Sequence, residues 1–277
     1  MGSGMAKRLL GAGFPLTVYN RNAEKAKPLV AAGAKPAATP RDAATGADII
    51  ITMLADDAAA RAVWLGGDGA LAEAKKGAVL IECSTVSPGW IAELAAAAAK
   101  KDCALLEAPV TGTKPHASAG ELTFLVGGDS AVLEQVRPVL AVMSKAILHL
   151  GPHGSGALLK LLNNFLCGVQ AVSFAEALAF IENSPLDRAQ ALDFLLQGNP
   201  GSPLVKTMAA RMLGRDYTPN FAMRLMAKDL AYSVAAGKSL SVNLATVAAA
   251  HAALERAIAA GYGDQDFSAV VEMLRKK

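Results

Sequence analysis

Residues 77–110 read GAVLIECSTVSPGWIAELAAAAAKKDCALLEAPV. The runs GAVLIECS (77–84) and CALLEAPV (103–110) are continuously apolar and are separated by a helical pattern. A strand reads this way when both of its faces are covered, and strands separated by helices build a sheet layered on each side. Working outward, further runs of the same kind stand at 16–20 (LTVYN), 47–54 (ADIIITML), 122–128 (LTFLVGG) and 145–151 (KAILHLG). The class is therefore α/β, with a doubly wound N-terminal domain expected over 1–152. Beyond Gly151 the β-rich runs stop. Helical patterns follow over 155–183, 187–197, 203–213, 221–237 and 242–260, punctuated by Gly198-Asn199-Pro200-Gly201 and Tyr217-Thr218-Pro219-Asn220, which predicts an all-α domain over 153–277. The stretch 155–183 is apolar on nearly every face, and two readings stay open for it: domain core or the interface of a homo-oligomer.

Composition narrows the function. In 277 residues, 27 Lys plus Arg stand against 24 Asp plus Glu, and the longest basic block is the terminal Arg275-Lys276-Lys277, so no nucleic-acid partner is expected. Apolar residues make up 53% and the mean hydropathy is +0.32, the balance of a well-buried globular chain. No uncharged run reaches the roughly 18 residues of a membrane span, and no apolar stretch follows the basic start as in a signal peptide. Cys83, Cys103 and Cys167 lie far apart. A soluble protein of the reduced cytoplasm, without a disulfide framework, is expected. His149 and His153 have a metal-like spacing, but Gly151-Pro152 between them prevents one helix face from carrying both, and His116 and His251 are isolated. No metal site is expected.

The start, MGSGMAKRLL, reads as a helix that runs into LTVYN. A doubly wound sheet usually opens with a strand leading into G-x-G-x-x-G and a helix whose N-terminus receives a pyrophosphate. Gly2 then corresponds to the last glycine of that fingerprint, with the first strand and two earlier glycines expected to be absent because of a late-assigned start or a shortened chain. The competing reading makes Gly2 an ordinary helix-start glycine. About 20 positions past the glycines lies the residue that reads the adenosine ribose, and Asn20-Arg21 falls there. An acid at that place holds the 2′-hydroxyl of NAD, whereas arginine accommodates the 2′-phosphate of NADP. Arg21 favours NADP, with NAD the weaker choice; the alternative is a solvated surface arginine.

Five motifs in order, MGSGMAKRLL with VYNR, ECSTVSP (82–88), EAPVTG (107–112) leading to AGELTFLVGG (119–128), GPHGSGALLKLLNN (151–164) and FAMRLMAKDL (221–230), carry a resemblance along the whole chain. It resembles the β-hydroxyacid dehydrogenase family, which includes 3-hydroxyisobutyrate dehydrogenase, tartronate semialdehyde reductase and the glyoxylate/succinic semialdehyde reductases. The resemblance implies a Rossmann-type nucleotide domain and a nicotinamide-linked oxidoreductase. It makes Lys160 the catalytic acid that protonates the oxygen after hydride delivery, with a pKa expected to be lowered by the apolar run around it. Asn164, one helical turn on, is expected to orient the same substrate. It assigns the substrate carboxylate to Thr111, Gly112 and Thr113, where the family has Ser-Gly-Gly or Ser-Gly-Ser. Met1, Gly2, Asn20, Arg21, Met53, Leu54, Thr85 and Lys228 are implied as cofactor contacts, and Phe221 and Asp229 as substrate contacts. Phe221 and Lys228, seven apart, are expected to share a helix face.

Read without the resemblance, Lys160 is a snorkelling lysine, Pro109-Val110-Thr111-Gly112 a strand-ending turn and Asp229 a surface charge paired with Lys228. The continuation Lys114-Pro115-His116 is more like the glyoxylate/succinic semialdehyde reductases than the 3-hydroxyisobutyrate dehydrogenases. The expected activity is NADP-dependent reduction of a small carboxylate-bearing aldehyde or 2-oxo acid, glyoxylate or succinic semialdehyde, by a dimer or tetramer. The alternatives are an NAD-dependent 3-hydroxyisobutyrate dehydrogenase and a catalytically silent dinucleotide-binding protein.

Overall fold

The computed structural model describes residues 1–275; Lys276 and Lys277 of the basic terminus lie outside them. The chain divides into two compact units, Met1–Lys160 and Leu161–Lys277.

The first unit opens with α1 (Gly2–Gly11), followed by β1 (Thr17–Val18), α2 (Lys27–Ala31), β2 (Lys35–Pro36) and α3 (Pro40–Ala44). Next come β3 (Ile49–Thr52), α4 (Asp57–Leu65), β4 (Val79–Glu82), α5 (Pro88–Ala99), β5 (Ala104–Glu107) and β6 (Val110–Thr111). It continues through α6 (Lys114–Ala119), β7 (Leu122–Gly128), α7 (Ser130–Ala141) and β8 (Ser144–His149) into α8 (Ser155–Glu182). Helix starts follow local chemistry. Asp56 Oδ1 accepts the Ala59 N–H at 2.8 Å to cap α4, and Ser87 Oγ accepts the Trp90 N–H at 3.1 Å ahead of Pro88, capping α5.

A six-stranded sheet runs β3-β4-β5-β7-β6, with β8 on the other edge of β7. Strands β3, β4 and β5 are parallel, and β7 runs against β5 and β6. The expected strand 103–110 is two strands, because Pro109 has no N–H to give to the ladder while its carbonyl still accepts from Leu125 at 2.9 Å. LTVYN also departs from the expectation of one sheet. Only Thr17–Val18 is extended, and it pairs with Lys35–Pro36 in a separate two-stranded parallel sheet; Thr17, Lys35 and Pro36 are exposed and bring little apolar surface to bury. The continuous apolar strands are covered on both faces as their pattern predicts. Val79, Ile81 and Leu106 enter one core with Phe124 and Val126, and Leu80 and Leu105 enter another with Trp64, Trp90 and Ile91.

The second unit contains most of α8, then α9 (Arg188–Gln197), α10 (Pro203–Gly214), α11 (Met223–Ser239) and α12 (Ala245–Ala257). Its core joins Phe174 and Leu178 of α8 to Met208, Met212, Met226, Leu230 and Leu254. By length and composition α8 is long and apolar enough to cross a membrane, yet half of that window is buried inside the protein, as in a core helix. The helical stretch expected from 221 begins at Met223, with Ala222 as its N-cap.

Candidate active site

In the first unit the ends of β3 and β4 are tied together by a buried polar network. Glu82, the last residue of β4, has no exposed surface. Its Oε2 accepts the indole Nε1–H of Trp64 at 2.9 Å, and its Oε1 accepts the Ser84 N–H at 2.9 Å. Ser84 Oγ in turn accepts the Leu54 N–H at 2.7 Å. Burial pushes the Glu82 carboxyl above its ordinary range, opposed by the hydrogen bonds from Ser84 and Trp64. The Cys83 thiol is also pushed well up, by its own burial and then by Glu82.

The chain therefore leaves β3 at Met53-Leu54 and β4 at Ser84-Thr85 in a fixed geometry. A Cβ built on Gly2 would stand 3.4 Å from Met53 Cβ, so the structure brings the start of α1 to the end of β3. Met1 caps α1 without a side-chain bond, and no acid lies in the first turn. Burial lowers the Met1 amine pKa, and Lys114 adds to the effect. A Cβ on Gly4 would meet Ala117 and Ser118 of α6 at 3.0 Å, which sets α1 against the turn that follows Thr113.

Thr111-Gly112-Thr113 links β6 to α6. Gly112 has φ +123°, and an added Cβ would meet Leu122 and His116 at 3.0 and 3.1 Å, so glycine is required there on two counts. The Thr113 N–H donates to His116 Nδ1 at 3.2 Å, and the Thr113 hydroxyl lies 2.8 Å from the same nitrogen. With Nδ1 accepting, the ring proton is on Nε2 and the hydroxyl also donates to Nδ1. Both donors of Thr113 are thus turned onto His116, a partner that the sequence reading left without a role.

Arg21 and Asn20 are exposed beyond β1. Asn20 Oδ1 accepts the Asn22 N–H at 3.0 Å and Asn22 Oδ1 accepts the Glu24 N–H at 3.1 Å, so the asparagines shape the turn that presents Arg21.

Lys160 is 9% exposed on α8, one turn past Gly156. In the second unit Asn164 is 3% exposed and donates from Nδ2 to Asp229 Oδ2 at 2.5 Å, while its Oδ1 accepts from Asn163 at 2.9 Å. Asp229 is 1% exposed, which corrects the reading of a surface charge. Lys228 Nζ lies 3.0 Å from Asp229 Oδ1 and 5.0 Å from the centre of the Tyr232 ring. Asn164, Lys228 and Asp229 are therefore brought together. Phe221 precedes α11 and does not share a helix face with Lys228, contrary to the seven-residue spacing argument; its ring packs edge-on against Phe267 with centroids 5.8 Å apart.

Two carboxyls escaped the sequence reading, Glu82 and Glu107. The signal was available: each is a lone acid at the end of an otherwise unbroken apolar strand, and a charge in that place must be paired or neutral. His153, dismissed as a metal ligand, binds the backbone instead, its Nε2 donating to the Leu105 carbonyl at 2.8 Å.

Residues 1–151 match the NAD binding domain of 6-phosphogluconate dehydrogenase, and residues 154–274 match the NAD-binding domain of NADP-dependent 3-hydroxyisobutyrate dehydrogenase. The chain is an oxidoreductase that uses a nicotinamide dinucleotide. It is 35% identical to the NAD-dependent L-serine dehydrogenase of Pseudomonas aeruginosa over 280 residues, covering 99% of this chain and 94% of the relative. It is 34% identical to glyoxylate/succinic semialdehyde reductase 1 of Arabidopsis thaliana, with 99% and 95% covered. Among solved structures, the 3-hydroxyisobutyrate dehydrogenase of Mycobacterium tuberculosis, solved with L-serine, superposes with a TM-score of 0.90 at 30% identity over 100% of this chain and 96% of that one. The chain belongs to the β-hydroxyacid dehydrogenase family, NAD(P)-dependent enzymes acting on CH–OH groups.

Proposed function

We propose that the protein is an NADP-linked reductase of small carboxylate-bearing aldehydes or 2-oxo acids, with glyoxylate and succinic semialdehyde heading the substrate range. The observation that carries this reading is Lys160, a lysine that is only 9% exposed in the apolar opening of α8. A group that costs this much to bury is retained where its proton is used.

The residues present fit a dinucleotide. The start of α1 has neither a side-chain cap nor an acid to compete with a phosphate. Met53, Leu54 and Thr85 stand at the carboxyl ends of β3 and β4, where open α/β sheets receive ligands. No carboxylate occupies 20–22, and Arg21, exposed there, suits a 2′-phosphate; Lys228 is the cofactor contact expected from the second unit. When bound, the cofactor supplies the hydride. Lys160 Nζ then holds the proton that goes to the carbonyl oxygen. Asn164, oriented by Asp229, fixes the group being reduced, and Phe221 adds an apolar wall. The Thr111 hydroxyl and the Gly112 N–H receive the substrate carboxylate, joined by the donors of Thr113 once His116 releases them.

A second reading, NAD-dependent 3-hydroxyisobutyrate dehydrogenase, is supported by a relative of that name from Pseudomonas aeruginosa at 34% identity. Arg21→Asp separates the two: loss of NADPH preference with NADH use maintained supports the NADP reading, and unchanged relative efficiencies count against it. The same proposal makes the enzyme a cytoplasmic homo-oligomer. Leu159, Leu162 and Leu166 are 37%, 49% and 53% exposed at three- and four-residue spacings on α8, and Phe180, fourteen residues further on, is 74% exposed, an apolar stripe suited to a second copy of itself.

A further inference from the structure

Glu107 ends β5 with no exposed surface, and no step of the reaction above uses it. Its Oε1 accepts the Gly154 N–H at 2.6 Å and the Gly156 N–H at 3.2 Å. These amides belong to the turn that opens α8, and Lys160 follows Gly156 by one helical turn. The carboxyl lies in a cradle that only glycines allow. A Cβ on Gly127 would overlap the Glu107 carboxyl, one on Gly156 would run into the Leu125 carbonyl, and Gly154 has φ +96°. The same turn is held at two further points. His153 bonds the Leu105 carbonyl of β5 at 2.8 Å, and the Gly128 N–H donates to the Gly151 carbonyl at 2.9 Å. A charge-capable side chain from the sheet thus fixes the depth and rotation at which α8 begins.

We propose that Glu107 is a positioning residue for Lys160: by holding the first amides of α8 it sets where the Lys160 amine stands over the substrate carbonyl. The proposal rests on the reading of Lys160 as proton donor. Four variants test it through kcat and NADPH affinity. Glu107→Gln retains the acceptor oxygen and keeps kcat close to wild type. Glu107→Asp, one methylene short of the two amides, and Glu107→Leu, which has no acceptor, lower kcat by about 10- to 100-fold with NADPH affinity unchanged. In a Lys160→Ala background Glu107→Asp produces no further loss, because its effect passes through the absent amine. A purely structural role would multiply the loss in both backgrounds, and that result overturns the proposal. So does wild-type kcat in Glu107→Asp. If Glu107→Leu fails to fold, Glu107→Asp and Glu107→Gln decide alone. Full activity of Lys160→Ala instead removes the underlying reading, which distinguishes the two failures.

Discussion

Lys160 is buried at 9% exposure within a helix start, and Asn164 and Asp229, 3% and 1% exposed, bond to one another. Polar groups this deep in a protein are held by partners and seldom tolerated without a task. Lys160→Ala is therefore expected to lower kcat for carbonyl reduction by about 100- to 10,000-fold, the range a general acid contributes, while fluorescence titration shows NADPH binding retained. Asp229→Ala leaves the Asn164 amide without its orienting acceptor and removes the carboxylate 3.0 Å from Lys228 Nζ, so KM for the substrate rises together with a fall in kcat. A change confined to thermal stability would assign Asp229 to packing. Asp229 also shows what one line of sequence withholds: beside Lys228 it reads as a solvated pair, and only the packing of α11 against α8 turns it inward.

The strand ends are the next scale. Glu82 binds Trp64 and Ser84 and, through Ser84, the Leu54 N–H, so one buried carboxyl holds the two loops assigned to the cofactor. Trp64→Phe removes the indole donor and leaves a carboxyl oxygen unsatisfied, at a cost of about 1–3 kcal/mol readable in denaturant unfolding. Burial raises the folded pKa of Glu82 above an unfolded value of about 4.3. Between those two values the folded state binds more protons, so stability falls as pH rises through that window and stays lower above it. Glu82→Gln, which stays neutral at every pH but turns its NH2 toward one of the two N–H donors, is expected to lower the melting temperature, and by less at pH 8 than at pH 5; an equal effect at both would show that Glu82 does not titrate in the fold. The strands around these acids were legible because continuous apolar runs mark burial on both faces. The break at Pro109, the separate β1–β2 sheet and the start of α11 after Phe221 were not, since each depends on which backbone group finds a partner rather than on periodicity.

For the whole molecule, the β-rich runs stop at Gly151, whereas the two compact units divide after Lys160, inside α8, because that helix runs unbroken past the change of pattern. The motifs carried the family, and the geometry of their side chains came only with the fold. The exposed leucines of α8 predict assembly: Leu162→Glu together with Leu166→Glu is expected to reduce the molar mass measured by light scattering to that of one chain, and an unchanged mass would remove α8 from the interface. The central claim is that this family member uses Lys160 to protonate a small carboxylate-bearing carbonyl as NADPH is oxidised. Its most direct test is the initial rate of NADPH consumption with glyoxylate and succinic semialdehyde, measured side by side for the wild type and Lys160→Ala. Rapid turnover by the wild type with at least one of the two, and near-complete loss in the variant despite retained NADPH binding, is the predicted result. Equal rates in both proteins, or no turnover by a wild type that binds NADPH, would contradict it.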